Sequence, residues 1–128
     1  RYLDAFAQST DRFMEIIGCD SDYIASGGSY FTAETHIRHI DEALAGDRIS
    51  VRTQMLLGQG KKLHLFHRMY KGDTLIATGE HFLLHVSLET RKPCPPSGDI
   101  EVAMARIAQA QAGLDYPEGA GAAIRKPA

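Results

Sequence analysis

Residues 61–86, KKLHLFHRMYKGDTLIATGEHFLLHV, decide the fold. Two runs rich in aliphatic and aromatic residues flank Lys71-Gly72-Asp73-Thr74, whose Gly-Asp centre supplies the backbone freedom of a tight turn. The segment therefore predicts two long antiparallel strands joined as a hairpin. A two-residue turn sets Lys71 opposite Thr74, and the same register carried along the strands sets His64 opposite His81. One face then holds His64, Phe66, Arg68 and Tyr70. The other holds Leu63, Leu65, Met69, Ile76, Phe82, Leu84 and Val86, and with them His67 and Glu80. The apolar face is the one expected to pack inward.

Working outward, residues 48–57 (RISVRTQMLL) alternate Ile49, Val51 and Met55 with Ser50, Arg52 and Gln54, the pattern of a half-buried strand. Gly58-Gln59-Gly60 turns that strand into the hairpin. Residues 29–40 (SYFTAETHIRHI) read as a further strand. Ahead of it, Leu3, Phe6, Phe13, Met14 and Ile17 recur by threes and fours, with Asp4, Gln8, Asp11 and Glu15 on the opposite side. That spacing predicts an amphipathic helix over 2–17, ended by Gly18, whose polar carboxylates form a solvated face. Residues 19–28 read as a loop. Ile100, Ala103, Met104, Ile107 and Ala110 predict a second helix over 99–113. Residues 1–113 form one domain on this reading, and 114–128, rich in Gly, Ala and Pro, a flexible tail. One long helix followed by an antiparallel meander is an α+β arrangement. Its open sheet edge points to a homodimer, with a tetramer as a further step.

At 128 residues, 44% hydrophobic and 23% charged, the chain has the composition of an ordinary globular domain. A net charge of -2 supplies no electrostatic reason to bind nucleic acid or an anionic membrane. No apolar run is long enough to span a bilayer, and no signal peptide is visible. Cys19 and Cys94 show no metal or disulfide spacing, so a reducing cytoplasm is the expected compartment.

Six histidines invite a metal reading, which strand geometry opposes. His36 and His39, like His64 and His67, stand three apart and point to opposite faces. His81 and His85 share a face but lie about 13 Å apart at ~3.3 Å per residue. A single ion needs ligands at roughly 2 Å, so no metal is expected. Polar groups on an apolar face need partners or a function, which singles out His67 and Glu80. Glu34, between Ala33 and Thr35, is a third candidate. No nucleophile elbow, phosphate-binding glycine loop or paired-cysteine motif occurs.

The helix YLDAFAQSTDRFMEIIG, the Gly46-Asp47-x-Ile49-x-Val51 step and the final strands resemble the hotdog-fold acyl-CoA thioesterases of the 4-hydroxybenzoyl-CoA thioesterase type. The runs YFTAETHIRHIDEALAGD, KKLHLFHRMY and ATGEHFLLHV are similar to one branch, the betainyl-CoA thioesterases, some of them fused to or encoded beside L-carnitine dehydrogenase. The resemblance spans residues 2–92. It implies a sheet of five or six strands wrapped around the 2–17 helix and a homodimer with active sites at its interface. It also implies hydrolysis of a small acyl-CoA, as in carnitine degradation, without a cofactor.

In that family type the thioester carbonyl is polarised near a helix N-terminus, and a carboxylate attacks it or activates water. The matching aspartate would precede Arg1, in a segment expected upstream, so the catalytic residue is not transferred to any position here. A betaine acyl group carries a quaternary ammonium, for which aromatic faces are the usual host. Tyr2, Tyr30, Phe66 and Tyr70 are the candidates, with Tyr23 and Phe31 also available. Lys61, Lys62, Arg91 and Lys92 would meet the phosphates of coenzyme A. Two other readings stand beside hydrolysis: a non-catalytic hotdog module that binds acyl-CoA or an acyl carrier, and a dehydratase using His67 and Glu80.

Overall fold

The computed structural model describes residues 2–44 and 46–114. Helix α1 (Tyr2–Ile17) comes first, then a short helix α2 (Ser21–Ala25). Four strands follow: β1 (Gly28–His39), β2 (Ile49–Gln59), β3 (Lys62–Lys71) and β4 (Thr74–Ser87). Helix α3 (Gly98–Ala110) closes the described chain. The strands form one antiparallel sheet in the order β1-β4-β3-β2. Among the described residues the sheet has four strands, not the five or six that the resemblance implies. Apart from Leu114, the predicted tail lies outside the described residues.

Helix α1 lies across one face of the sheet, and α3 packs on β2 and against α1. Phe6, Phe13 and Ile17 are buried, so the predicted stripe is the one that faces the sheet. Phe13 and Ile17 share a core with Tyr30, Met55, Leu63, Leu65, Leu83, Ile100 and Met104. Phe6 joins Met69, Ile76 and Ala77 in a second cluster. Each buried Leu, Ile, Met or Phe among them contributes about 1.5–3 kcal/mol by leaving water. Gly79 is a packing glycine: a Cβ there would stand 2.7 Å from the Phe6 ring.

Helix α2 arises inside the predicted loop because the Asp20 carboxylate caps its start, accepting a hydrogen bond from Tyr23 N–H at 3.0 Å. The Gly46-Asp47 step also has a structural task. Asp47 Oδ2 accepts from Leu44 N–H at 2.6 Å and closes the loop leading into β2.

The hairpin turns where expected, with Lys71 opposite Thr74 and Tyr70 opposite Leu75. The register then slips by one residue, because Ile76 is bulged out of the ladder and Met69 pairs with Ala77. Every later β4 residue changes face. His64 therefore opposes Phe82 and not His81, and His67 opposes Gly79. Leu63, Leu65, His67 and Met69 face α1 as predicted. Their β4 companions are Ala77, Gly79, His81 and Leu83, whereas Glu80, Phe82, Leu84 and Val86 lie on the other face. The bulge is held from outside the hairpin: Ile40 and Asp41 both donate their backbone N–H to Ile76 C=O. Similar slips fall at Ala33 in β1 and Leu56 in β2.

Candidate functional site

Beneath α1 a chain of neutral polar groups is assembled from five elements, the helix and all four strands. His67 is fully buried and bonded at both ring nitrogens, with Nδ1 2.7 Å from Thr53 Oγ1 on β2 and Nε2 2.8 Å from Thr10 Oγ1 on α1. The Phe6 ring stacks on it at 5.7 Å. His81 stands edge-on to His67, ring centroids 5.2 Å apart, and its Nδ1 lies 3.0 Å from Thr35 Oγ1 on β1. Its Nε2 is buried and has no hydrogen-bond partner among the described residues. Burial, reinforced by the neighbouring His81, pushes the His67 imidazole down to about 3, and burial also lowers that of His81. Both rings are therefore neutral at physiological pH.

A second pair lies on the opposite face, where His64 Nε2 and Glu80 Oε2 are 2.7 Å apart and both residues are buried. The proposed His67–Glu80 couple is thus corrected: the Ile76 bulge sends Glu80 through the sheet to His64. The paired groups of a dehydratase do not meet here. Glu34 is exposed on that same outer face, opposite Phe82.

The fourth buried histidine, His85, is structural. His85 Nδ1 donates to Cys94 C=O at 2.9 Å, which fixes the tautomer, and Nε2 accepts from Tyr23 O–H at 2.8 Å. Tyr23 in turn accepts Ser97 N–H at 3.1 Å. This chain pins residues 94–97 to the sheet ahead of α3.

The four candidate cage aromatics do not converge. Tyr2 bridges the start of α1 to the loop after β1, donating to Asp41 C=O at 3.1 Å and accepting Ala43 N–H at 3.0 Å. Tyr30 is in the core, its hydroxyl against Met104 Sδ and its ring edge-on to His85. Phe66 and Tyr70 belong to the outer face, where Arg68 covers the Phe66 ring and Arg52 the Tyr70 ring. No quaternary ammonium can touch all four at once.

Lys61 and Lys62 line a cavity of ≈ 460 Å³ with Leu57, Gly60, Pro93 and Pro95. Arg91 and Lys92 are exposed just before Pro93, on the same chain segment. Among the described residues no group of three His, Cys, Asp or Glu side chains could hold a metal, and Cys19 and Cys94 are free thiols. No described helix is long and apolar enough to cross a membrane.

Sequence reading missed Thr10, Thr35 and Thr53, because their tie is to histidines on other elements, and it misplaced His81 because of the bulge. The one available signal was hydroxyl-bearing residues at inward positions of apolar elements.

The class follows from the architecture: one helix laid across an antiparallel sheet, the hotdog arrangement. A solved structure of a hypothetical protein from Staphylococcus aureus in complex with CoA superposes with a TM-score of 0.87 at 25% identity, covering 98% of this chain and 81% of that one. The sequence matches the thioesterase-like superfamily over residues 1–107, and the chain belongs to that family.

Two relatives narrow the comparison. A protein of Ruegeria pomeroyi named L-carnitine dehydrogenase/betainyl-CoA thioesterase is 84% identical over 128 residues. Those residues are the whole of this chain and 26% of that protein, so the chain spans about a quarter of this fused relative. The betainyl-CoA thioesterase of Pseudomonas aeruginosa is 40% identical over 98% of this chain and 81% of its own length.

Proposed function

We propose that this chain is the thioester-hydrolysing unit of a betainyl-CoA thioesterase, acting on a small acyl-CoA in carnitine degradation in the cytoplasm. The observation that carries the reading is the match to the Pseudomonas aeruginosa betainyl-CoA thioesterase, which is not fused to a dehydrogenase in its name and is covered over 81% of its length. The thioester carbonyl is placed at the start of α1, beside Tyr2, where unpaired helix N–H groups can receive a developing oxyanion. The carboxylate that attacks it, or that activates water, is assigned to the segment preceding Arg1. Glu34 and Glu80 are poor substitutes, one exposed on the outer face and the other held by His64. Lys61, Lys62, Arg91 and Lys92 are assigned to the phosphates of coenzyme A.

The working form is a homodimer through β1. That strand is an edge of the sheet, twelve residues long, and exposed from Phe31 to His36. An exposed edge of that length is a template for another strand, and a second copy supplies one with matching register.

The competing reading is a non-catalytic module that binds acyl-CoA. Thiol release and acyl-CoA affinity, measured together on the full protein, separate the two. The enzyme both binds acyl-CoA and releases thiol about 10²-fold or more above the uncatalysed rate, the scale of acid–base contributions. Tight acyl-CoA binding with no thiol release would establish the binder instead.

A further inference from the structure

Between α1 and the edge strand β1 runs an open cleft of ≈ 240 Å³. Its helix wall is Leu3, Ala7, Thr10 and Asp11, and its sheet wall includes Thr35 and His81. Leu3 belongs to the first turn of α1, so the cleft starts at the helix end assigned above to the thioester carbonyl. It then runs along the helix. Side chains of a helix lean toward its N-terminus, so the Asp11 carboxylate overhangs the turn that begins at Ala7.

The cleft has a definite polarity. His81 is only 5% exposed, and its Nε2 has no hydrogen-bond partner among the described residues, a costly arrangement unless a ligand or solvent group meets it. Its neighbour His67 is already bonded at both nitrogens and has nothing further to offer. Burial disfavours the charged form of both rings. Asp11 is therefore the one charged side chain on the described walls, set among threonine hydroxyls and the apolar surfaces of Leu3 and Ala7. Such a lining suits a small group that carries positive charge on an apolar surface. Apart from the His81 imidazole, no aromatic ring lines it among the described residues.

We propose that the trimethylammonium end of a betaine-type acyl group occupies the Leu3 end of this cleft, one methylene from the carbonyl carbon, with the Asp11 carboxylate further along the helix as its counter-charge and a lone pair of His81 Nε2 turned toward the cleft. The assignment rests on the thioesterase reading above and gives that site its acyl specificity. It requires the His81 tautomer whose Nδ1–H donates to Thr35 Oγ1, since the other would aim an N–H at the cation. It also replaces the aromatic cage: a carboxylate supplies the attraction, and Leu3 and Ala7 supply contact for the methyl groups.

The test compares betainyl-CoA with its neutral isostere, in which a tert-butyl group replaces the trimethylammonium. Shape is held constant and only charge changes. The full protein should show a lower KM for the cationic ester, and Asp11→Asn should reduce that preference about tenfold, as expected for loss of one nearby opposite charge. Glu89→Gln removes the same charge from the turn after β4 and should keep the wild-type preference. A preference that survives Asp11→Asn, or that falls equally in Glu89→Gln, overturns the proposal.

If the wild-type protein hydrolyses neither ester, the thioesterase reading fails, and the cleft is then judged by binding alone. Tetramethylammonium should shift the His81 ring resonances in the wild type and not in Asp11→Asn. No shift in the wild type overturns the cleft assignment as well.

Discussion

Neutral histidines set the acid limit of this fold. A buried imidazole held neutral in the folded chain can take up its proton once the chain unfolds. Below the ordinary value of 6.5 the unfolded state binds more protons, so stability falls as pH falls. The contribution of His67 is complete above 6.5 and is lost progressively from there down to about 3. The slope from His67 approaches roughly 1.4 kcal/mol per pH unit, and His81 adds to it in the same direction. Urea unfolding between pH 7 and pH 4 should show that slope, and His67→Gln should flatten it; an unchanged slope would count against a neutral buried His67.

Gly79 makes a second claim at this scale. Phe6 occupies the space a side chain would need, so Gly79→Ala should destabilise the chain by about 1–3 kcal/mol in thermal unfolding. A neutral effect would mean that the ring is not seated as described. The roles of His67 and Glu80 were only half legible in the sequence. Their burial follows from their place in an apolar run, but their partners depend on a single extra residue, Ile76, that alternation does not reveal.

Among the elements, the hairpin was the most legible, since its turn residues and alternation agree. The helices were legible from their period, and α3 ends at Ala110, three residues before Gly113. What escaped was the short helix α2, because its signal is one capping carboxylate, Asp20. The three bulges escaped too, because a bulge is stabilised by groups far away in sequence, as Ile76 is by Ile40 and Asp41. The candidate site was less legible than the fold for the same reason. Thr10, Thr35 and Thr53 meet His67 and His81 only after five elements have packed.

The Tyr23–His85–Cys94 connection gives a prediction at this scale. His85→Ala removes the acceptor of the Tyr23 hydroxyl and the donor to Cys94 C=O. It should cost about 1–3 kcal/mol and speed hydrogen exchange at the Cys94 and Ser97 amides. Unchanged exchange there would show that other contacts hold this segment.

For the whole molecule, the two faces of the sheet carry different work. The α1 side holds the neutral histidines, the Asp11 cleft and the core, while the outer side carries His64–Glu80 and the arginine-covered aromatics Phe66 and Tyr70. The α1/β1 cleft opens beside the sheet edge, so a dimer formed through β1 would bring a second copy alongside it. Sedimentation should therefore give twice the mass of one chain, and the exposed β1 amides should exchange slowly. A monomer with fast-exchanging β1 amides would remove the dimer.

The most direct measurement is thiol release from betainyl-CoA by the full-length protein, with the betaine product followed by its methyl proton signal. The thioesterase account predicts catalytic turnover with one thiol and one betaine formed per ester consumed. No release above the uncatalysed rate, for betainyl-CoA and for a panel of small acyl-CoA esters alike, would contradict it.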